Sequence, residues 1–416
     1  MKNKKGYWLF FEPYVHIALK KSLVLLYNTI NGERIKVIEP DLIKLIYATQ
    51  HYLNQGVVFL EDKLYKQKIV NQFIYEIREK FIGDIIEISL LPEKPIQFIP
   101  IPGLKKGTVK QKSSLDELAH EDLFSYFHFL TIQINNSCNL SCFDCSYSYK
   151  QNFNCFYNKK IGKLEMPFSE IEKIYEKIAT VPLKRMYLTG GNIFLHSKFK
   201  EIIELFNDSK INCSIGFHYF NLPNDTILEK LKNYKFEIFV NPPYQTDKII
   251  DTICLLKERN NEHLFRFRMK SEQDYDFFEI HFKSILGKDT FTIEPLYTGK
   301  NLDFFEKNVF MSEDDIFEEP ISQHTVFANS ILNSNLFGHI HIDCTGNVKS
   351  NPNSKQLLGN IFTDTFHRVI SNELLNNYSW KNTRKKSPCK QCIYQFLCPP
   401  PSNYEFVLKR NNLCHV

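Results

Sequence analysis

The sequence lacks any apolar run long enough to cross a bilayer. Runs such as Leu23–Tyr27 end after a few residues, where a membrane helix needs about 20. It lacks a secretory signal as well. Met1-Lys2-Asn3-Lys4-Lys5 is basic, but Glu12 and Pro13 cut the apolar stretch that follows. No Walker-type phosphate loop, Rossmann glycine pattern or nucleophile elbow is present. That removes the usual sequence marks of a nucleotide-triphosphate enzyme, a dinucleotide-dependent dehydrogenase and an α/β-hydrolase. Nor is there a large excess of charge of one sign. The net charge of +5 is mildly basic and is no argument for a nucleic-acid partner. The densest basic run, Lys381 to Lys386, reads as a solvated surface. These absences point to a cytoplasmic protein with no membrane and no nucleic-acid partner, in a compartment that keeps thiols reduced.

What the chain does have is length, aromatics and cysteine. Its 416 residues suggest two or three domains. Phe (36) and Tyr (21) are ample for their cores. Eleven cysteines in a reducing compartment favour metal ligation over disulfides.

Residues 1–90 read as a small α/β unit. Tyr7–Phe11 and Leu23–Tyr27 are strand-like, and Asn31-Gly32 before Arg34–Ile38 signals a type I′ hairpin. Pro40-Asp41 opens one helix and Lys63–Lys80 forms a second, with Val57–Leu60 between them and Ile85–Leu90 closing the unit. Residues 91–125 form a proline-rich, polar linker. Over 126–305, strands and helices alternate. The strands are Phe129–Ile134, Arg185–Leu188, Cys213–Phe217, Phe236–Val240, Leu264–Met269 and Phe291–Pro295. That alternation predicts a parallel α/β layout, with chemistry on loops after the strands. Residues 306–416 hold the second cysteine group.

Cys138, Cys142 and Cys145 form C-x3-C-x2-C in the loop after the first of those strands. Three close thiolates can hold a four-iron cube and leave one iron open. Zinc is an alternative, although a structural zinc wants four ligands. A disulfide is another, and it needs an oxidising compartment. The tail carries Cys389-x2-Cys392-x5-Cys398 and then Cys414, enough to saturate one cluster or one zinc. Cys155, Cys213, Cys254 and Cys344 read as core or incidental thiols. His339 and His341 would share one face of a strand, as a metal pair or as polar exposed groups.

The C-x3-C-x2-C array resembles the signature of the radical S-adenosylmethionine (radical SAM) enzymes. The tail, with its Cys398-Pro399-Pro400-Pro401-Ser402-Asn403-Tyr404-Glu405 run, resembles the SPASM tail of radical SAM peptide maturases. The resemblance implies a partial (β/α)6 barrel of the TIM type, a winged-helix-like N-terminal domain and a C-terminal SPASM-like domain. It implies a 4Fe-4S cluster on Cys138, Cys142 and Cys145, which binds SAM and generates a 5′-deoxyadenosyl radical. It implies one auxiliary 4Fe-4S cluster, or zinc, on Cys389, Cys392, Cys398 and Cys414. Thr189, Gly190, Gly191 and Asn192 would line the amino-acid end of SAM, and Phe143 its adenine. The partners it implies are a ribosomally synthesised precursor peptide, bound by residues 1–90, and a reductant such as a flavodoxin or ferredoxin.

This chain departs from the family pattern in three ways. Asn192 stands where a carboxylate is usual, Asp144 where an aromatic is usual, and the tail has fewer cysteines than a full SPASM domain. Arg266 and Arg268 share a face and would meet the SAM carboxylate or take a surface or ion-pair role. The resemblance therefore also admits a degenerate relative that has lost SAM chemistry and serves as a peptide-binding or electron-transfer partner.

Overall fold

The computed structural model describes residues 5–98, 122–140, 142, 145–152, 162–179, 181–207, 211–376 and 378–416. Phe143, Asp144, Cys155 and most of the expected linker lie outside the described residues.

Two three-stranded antiparallel sheets build the N-terminal unit. β1 (Gly6–Phe11) lies between β5 (Val57–Glu61) and β6 (Gly83–Glu87). β3 (Leu23–Asn28) lies between β2 (Val15–Lys20) and β4 (Arg34–Val37). The helix Pro40–Gln50 starts on proline, which has no N–H to leave unsatisfied in the first turn. The helix Lys68–Glu79 buries Val70, Phe73, Ile74 and Ile77 along one stripe. These pack with Leu9, Val24, Leu26 and Ile46 into one apolar core.

The β3–β4 turn is not the expected type I′, which needs positive φ at both central residues. Gly32 has φ of 80°, but Asn31 is not among the residues with positive φ. Asn28 organises a longer loop instead. Its side-chain oxygen accepts from Ile30 N at 3.0 Å, and its carbonyl accepts from Gly32 N at 2.9 Å.

The central sheet carries six parallel strands in chain order: β7 (Phe129–Gln133), β8 (Arg185–Thr189), β9 (Cys213–His218), β10 (Lys235–Val240), β11 (His263–Met269) and β12 (Phe291–Pro295). All six match strands expected from the sequence. One face buries Leu130, Ile132, Leu188, Ile215, Ile238 and Phe267 against helices such as Phe168–Ile178, Phe199–Asn207 and Thr246–Glu258. Period-two alternation puts the other side chains on the opposite face. That face is polar: Gln133, Thr189, His218, Glu237, Arg266, Arg268 and Glu294 all project from it.

The sheet continues past β7 into the C-terminal stretch. β13 (His339–Ile342) pairs parallel with β7, then β14 (Asn347–Lys349) and β15 (Gly359–Asn360) follow antiparallel. The tail also holds the N-terminal unit. Leu25 and Tyr27 of β3 pack against Ile316, Val326, Ile393, Tyr394 and Leu397. The Tyr27 hydroxyl accepts from Ile321 N at 2.7 Å, and Lys36 pairs with Glu313 at 2.5 Å. Cys213 and Cys344 are core thiols as expected, but Cys254 is exposed, because it lies off the buried stripe of its helix.

Candidate functional site

The cysteine loop leaves the C-terminal end of β7 and lies on the loop that leaves β8. Asn135 Nδ2 donates to the Asn192 carbonyl at 2.9 Å, and Asn135 Oδ1 accepts from Gly191 N at 3.2 Å. Asn192 N donates to the Ser137 carbonyl at 2.6 Å. The two backbones touch only because Gly190 and Gly191 have no side chains. A Cβ on Gly191 would meet the carbonyl carbons of Ser137 at 2.6 Å and Asn136 at 3.0 Å. The glycine pair thus seats the cysteine loop. The Asn192 side chain is used locally: Oδ1 accepts from Phe194 N at 3.1 Å, and Nδ2 donates to Asn139 Oδ1 at 3.4 Å.

Cys138, Cys142 and Cys145 are in no disulfide and are half-buried. Burial raises the Cys138 pKa, while Leu140 N, donating to its sulfur at 3.4 Å, works the other way. Cys142 is close enough to Cys138 and to Tyr219 to affect the titration of both. The Asn221 side chain stands beside the Cys138 sulfur, yet its Nδ2 makes no hydrogen bond of good geometry.

Three further buried donors in this region share that condition: Gln133 Nε2 at the end of β7, Thr189 Oγ1 at the end of β8 and Arg268 Nη2 near the end of β11. All four residues are less than a tenth exposed. A buried donor without a partner costs about 1–3 kcal/mol. Four of them near the strand ends fit a polar guest rich in acceptors. S-adenosylmethionine, with a carboxylate, ribose hydroxyls and ring nitrogens, is chemically such a guest.

Deeper on the polar face is a cavity of about 250 Å³ whose lining includes Arg185, Tyr187, Glu237, Arg266 and Glu294. Arg266 bridges the two carboxylates, reaching Glu237 at 2.7 Å and Glu294 at 2.5 Å, and Arg185 pairs with Glu237. Burial works against the Arg266 charge, but Glu237 and Glu294 more than restore it, and its pKa ends raised. Arg268 is buried over the Phe239 ring, within 3.2 Å of Asn241 Oδ1 and 3.6 Å of Glu294, so its role is the expected ion pair and not a surface one. His339 and His341 share one face, as expected, and line this same cavity. Burial lowers their pKa values to about 4 and about 3, so both are neutral at pH 7.

In the tail, Cys389, Cys392, Cys398 and Cys414 line one cavity of about 50 Å³. Burial pushes the Cys398 thiol up to about 12, and the other three cysteines all act on it electrostatically. Tyr394 N donates to Cys392 Sγ at 3.4 Å, which repeats the contact of Leu140 N with Cys138. Such N–H···S contacts are the outer-sphere support that metal thiolates use. Arg384 Nη1 approaches Cys389 Sγ at 3.8 Å, and Nη2 pairs with Glu405 at 2.8 Å. The chemistry and grouping of the donors fit a thiolate-held metal or cluster. Among the described residues, no three His, Cys, Asp or Glu side chains are gathered tightly enough to hold a metal ion as they stand.

Gln133, His218, Asn221 and Arg384 belong to these sites and were not singled out from the sequence. The first had a signal: a polar residue at the inward parity of an otherwise apolar strand. His218, at the end of β9, has the same mark. Asn221 and Arg384 come from loops and had none.

No family model matches this chain. A curated relative, "Probable polyketide synthase 10" of Dictyostelium discoideum, is 23% identical over 218 residues, which is 51% of this chain and 8% of that protein. The chain thus spans less than a tenth of the length of the curated relative it matches. Among solved structures, Streptococcus suis SuiB bound to precursor peptide SuiA aligns over 98% of this chain and 99% of that chain, at 14% identity and a TM-score of 0.47. SuiB bound to S-adenosylmethionine covers the same shares at 12% identity and a TM-score of 0.44. At these scores the overlap is loose and fixes neither fold nor activity for this chain. No helix among the described residues is long and apolar enough to cross a membrane.

Proposed function

We propose that this chain is a radical SAM maturase of the SPASM type, acting on a ribosomally synthesised peptide in the cytoplasm. One observation carries the proposal. A C-x3-C-x2-C loop leaves the first of six parallel strands, and four buried donors without partners lie at or just past the strand ends on the same sheet face. In this reading the parallel strands form a partial (β/α)6 barrel, and Cys138, Cys142 and Cys145 hold a 4Fe-4S cluster. When bound, the cluster and S-adenosylmethionine supply a hydrogen-atom abstractor generated by one-electron reduction. The chain's own residues bind and orient: Thr189 and Gln133 toward the SAM amino-acid end, Arg268 toward an anionic group. Cys389, Cys392, Cys398 and Cys414 hold an auxiliary cluster. Residues 1–90 present the leader of the peptide, and a flavodoxin- or ferredoxin-type carrier is the reductant.

A second reading has one observation in its favour. The Asn192 amide already serves Phe194 N and Asn139, so it has little left for an ammonium group. A degenerate relative that binds peptide or passes electrons would need nothing from Asn192.

Anaerobic reconstitution with iron and sulfide, then a dithionite-driven SAM cleavage assay, separates them. The enzyme reading expects about eight irons per chain, release of 5′-deoxyadenosine, and about half the iron in Cys398→Ser. Iron without SAM cleavage favours the degenerate reading. Zinc at the tail removes the auxiliary cluster, and a chain that takes up no iron sinks the enzyme reading and the electron-passing form of the second one.

A further inference from the structure

A second groove in the tail, of about 620 Å³, is lined by basic residues. Lys355, Lys381, Lys385, Lys386 and Arg410 line it, and Lys355, Lys385, Lys386 and Arg410 are exposed. Among the described residues the one carboxylate lining it is Glu405. Glu405 is buried, is paired with Arg384 at 2.8 Å, and accepts from the Ser402 hydroxyl at 2.6 Å. Arg410 pairs with Glu306 at 3.5 Å, so the groove's net positive charge comes chiefly from Lys355, Lys385 and Lys386. Phe406, 54% exposed, adds an apolar contact within that basic frame. Thr383 Oγ1, buried in the wall, has no hydrogen-bond partner.

The position of the groove gives it a meaning beyond charge. Cys389 and Arg384 line both this groove and the small cavity of the four thiols. These two residues form a wall that the two spaces share.

We propose that this groove docks an acidic one-electron carrier protein, which passes its electron through the Cys389 wall to the group held by the tail cysteines. The proposal rests on the reading of those cysteines as cluster ligands. The carrier is oxidised by one electron and the tail cluster reduced by one; no bond forms or breaks. Several cations of one sign around a contact site raise the association rate of an acidic partner, and salt weakens that attraction. A nucleic acid would also answer to the charge. It would gain nothing from a cysteine wall, and the whole chain, at pI 8.4, falls short of the strongly basic balance typical of nucleic-acid binding.

The test uses the full-length reconstituted chain and a reduced flavodoxin as probe, with wild type and the double variant Lys385→Glu/Lys386→Glu. The expected result is flavodoxin binding that weakens with salt, and a loss of about tenfold or more in the variant at low salt. Reduction of the tail cluster by flavodoxin, followed by electron paramagnetic resonance, should slow by a similar factor. Reduction by dithionite, which needs no docking, should stay unchanged and shows that the variant is folded and loaded. Equal flavodoxin binding and equal rates in both proteins overturn the proposal. So does an RNA oligomer that outcompetes flavodoxin at the same salt. A wild-type chain that holds only zinc in the tail rejects the cluster reading and with it the electron transfer, while the salt-dependent titration still decides whether the groove is an acidic-protein surface.

Discussion

Replacing Gly191 with alanine should dislodge the cysteine loop. The new methyl would sit 2.6 Å from the Ser137 carbonyl carbon and 3.0 Å from that of Asn136, both backbone atoms with no rotamer to yield. Relief requires the two loops to part by the better part of an ångström. That movement stretches Asn192 N→Ser137 O, now 2.6 Å, and Gly191 N→Asn135 Oδ1, now 3.2 Å. Overpacking costs about 1–3 kcal/mol and a weakened hydrogen bond about 1 kcal/mol, so the sum is about 2–4 kcal/mol. For a unit of this size, that corresponds to a fall in melting temperature of about 5–10 °C. Gly287→Ala is the control, since its Cβ would meet Thr290 at an ordinary 3.7 Å. Differential scanning fluorimetry measures the shift, and iron content after anaerobic reconstitution measures the loop. If Gly191→Ala melts with the control and takes up full iron, the seating role of the glycine pair is wrong.

Two other consequences can be measured directly. His218 is buried and accepts from Phe220 N at 3.3 Å; burial, helped by Arg268, lowers its pKa to about 3. It stays neutral when folded but gains a proton on unfolding below about pH 6.5, so stability is full above that pH and falls as pH drops toward 3. Urea titrations of His218→Asn across this window should show a slope shallower by about 1.4 kcal/mol per pH unit, and an unchanged slope would refute the assignment. Arg266→Met removes the cation that bridges Glu237 and Glu294, leaving Arg185 on the first and Arg268 at 3.6 Å on the second, and should cost about 1.5–3 kcal/mol in urea unfolding. Adding Glu237→Gln and Glu294→Gln should recover much of that loss, and no recovery would place the cost in packing instead.

The central strands were legible because each is a short apolar run followed by a helical pattern, which leaves few topologies open. The grouping of the four tail thiols around one cavity was legible from spacing alone. What escaped were relations between distant parts of the chain. β2 follows Pro13 with weak alternation, and it is a strand because β3 pairs along its whole length. β13 joins β7 across some two hundred residues, and no local pattern announces such a partner. The glycine pair was expected to line the amino-acid end of SAM; that it also lies against the cysteine loop is a contact between distant segments that no local pattern announces. His339 and His341 were placed correctly on one face, but only the sheet shows that this face looks inward.

The grip of β3 on the tail decides how the N-terminal unit can be studied. Leu25 and Tyr27 have no exposed surface while Ile316, Val326 and Leu397 cover them. A fragment severed before residue 306 would carry that oily patch bare into solvent, and it would adhere to itself and to any peptide offered. Capture by such a fragment would report stickiness, so ligand recognition by the first ninety residues has to be measured with both ends of the polypeptide joined.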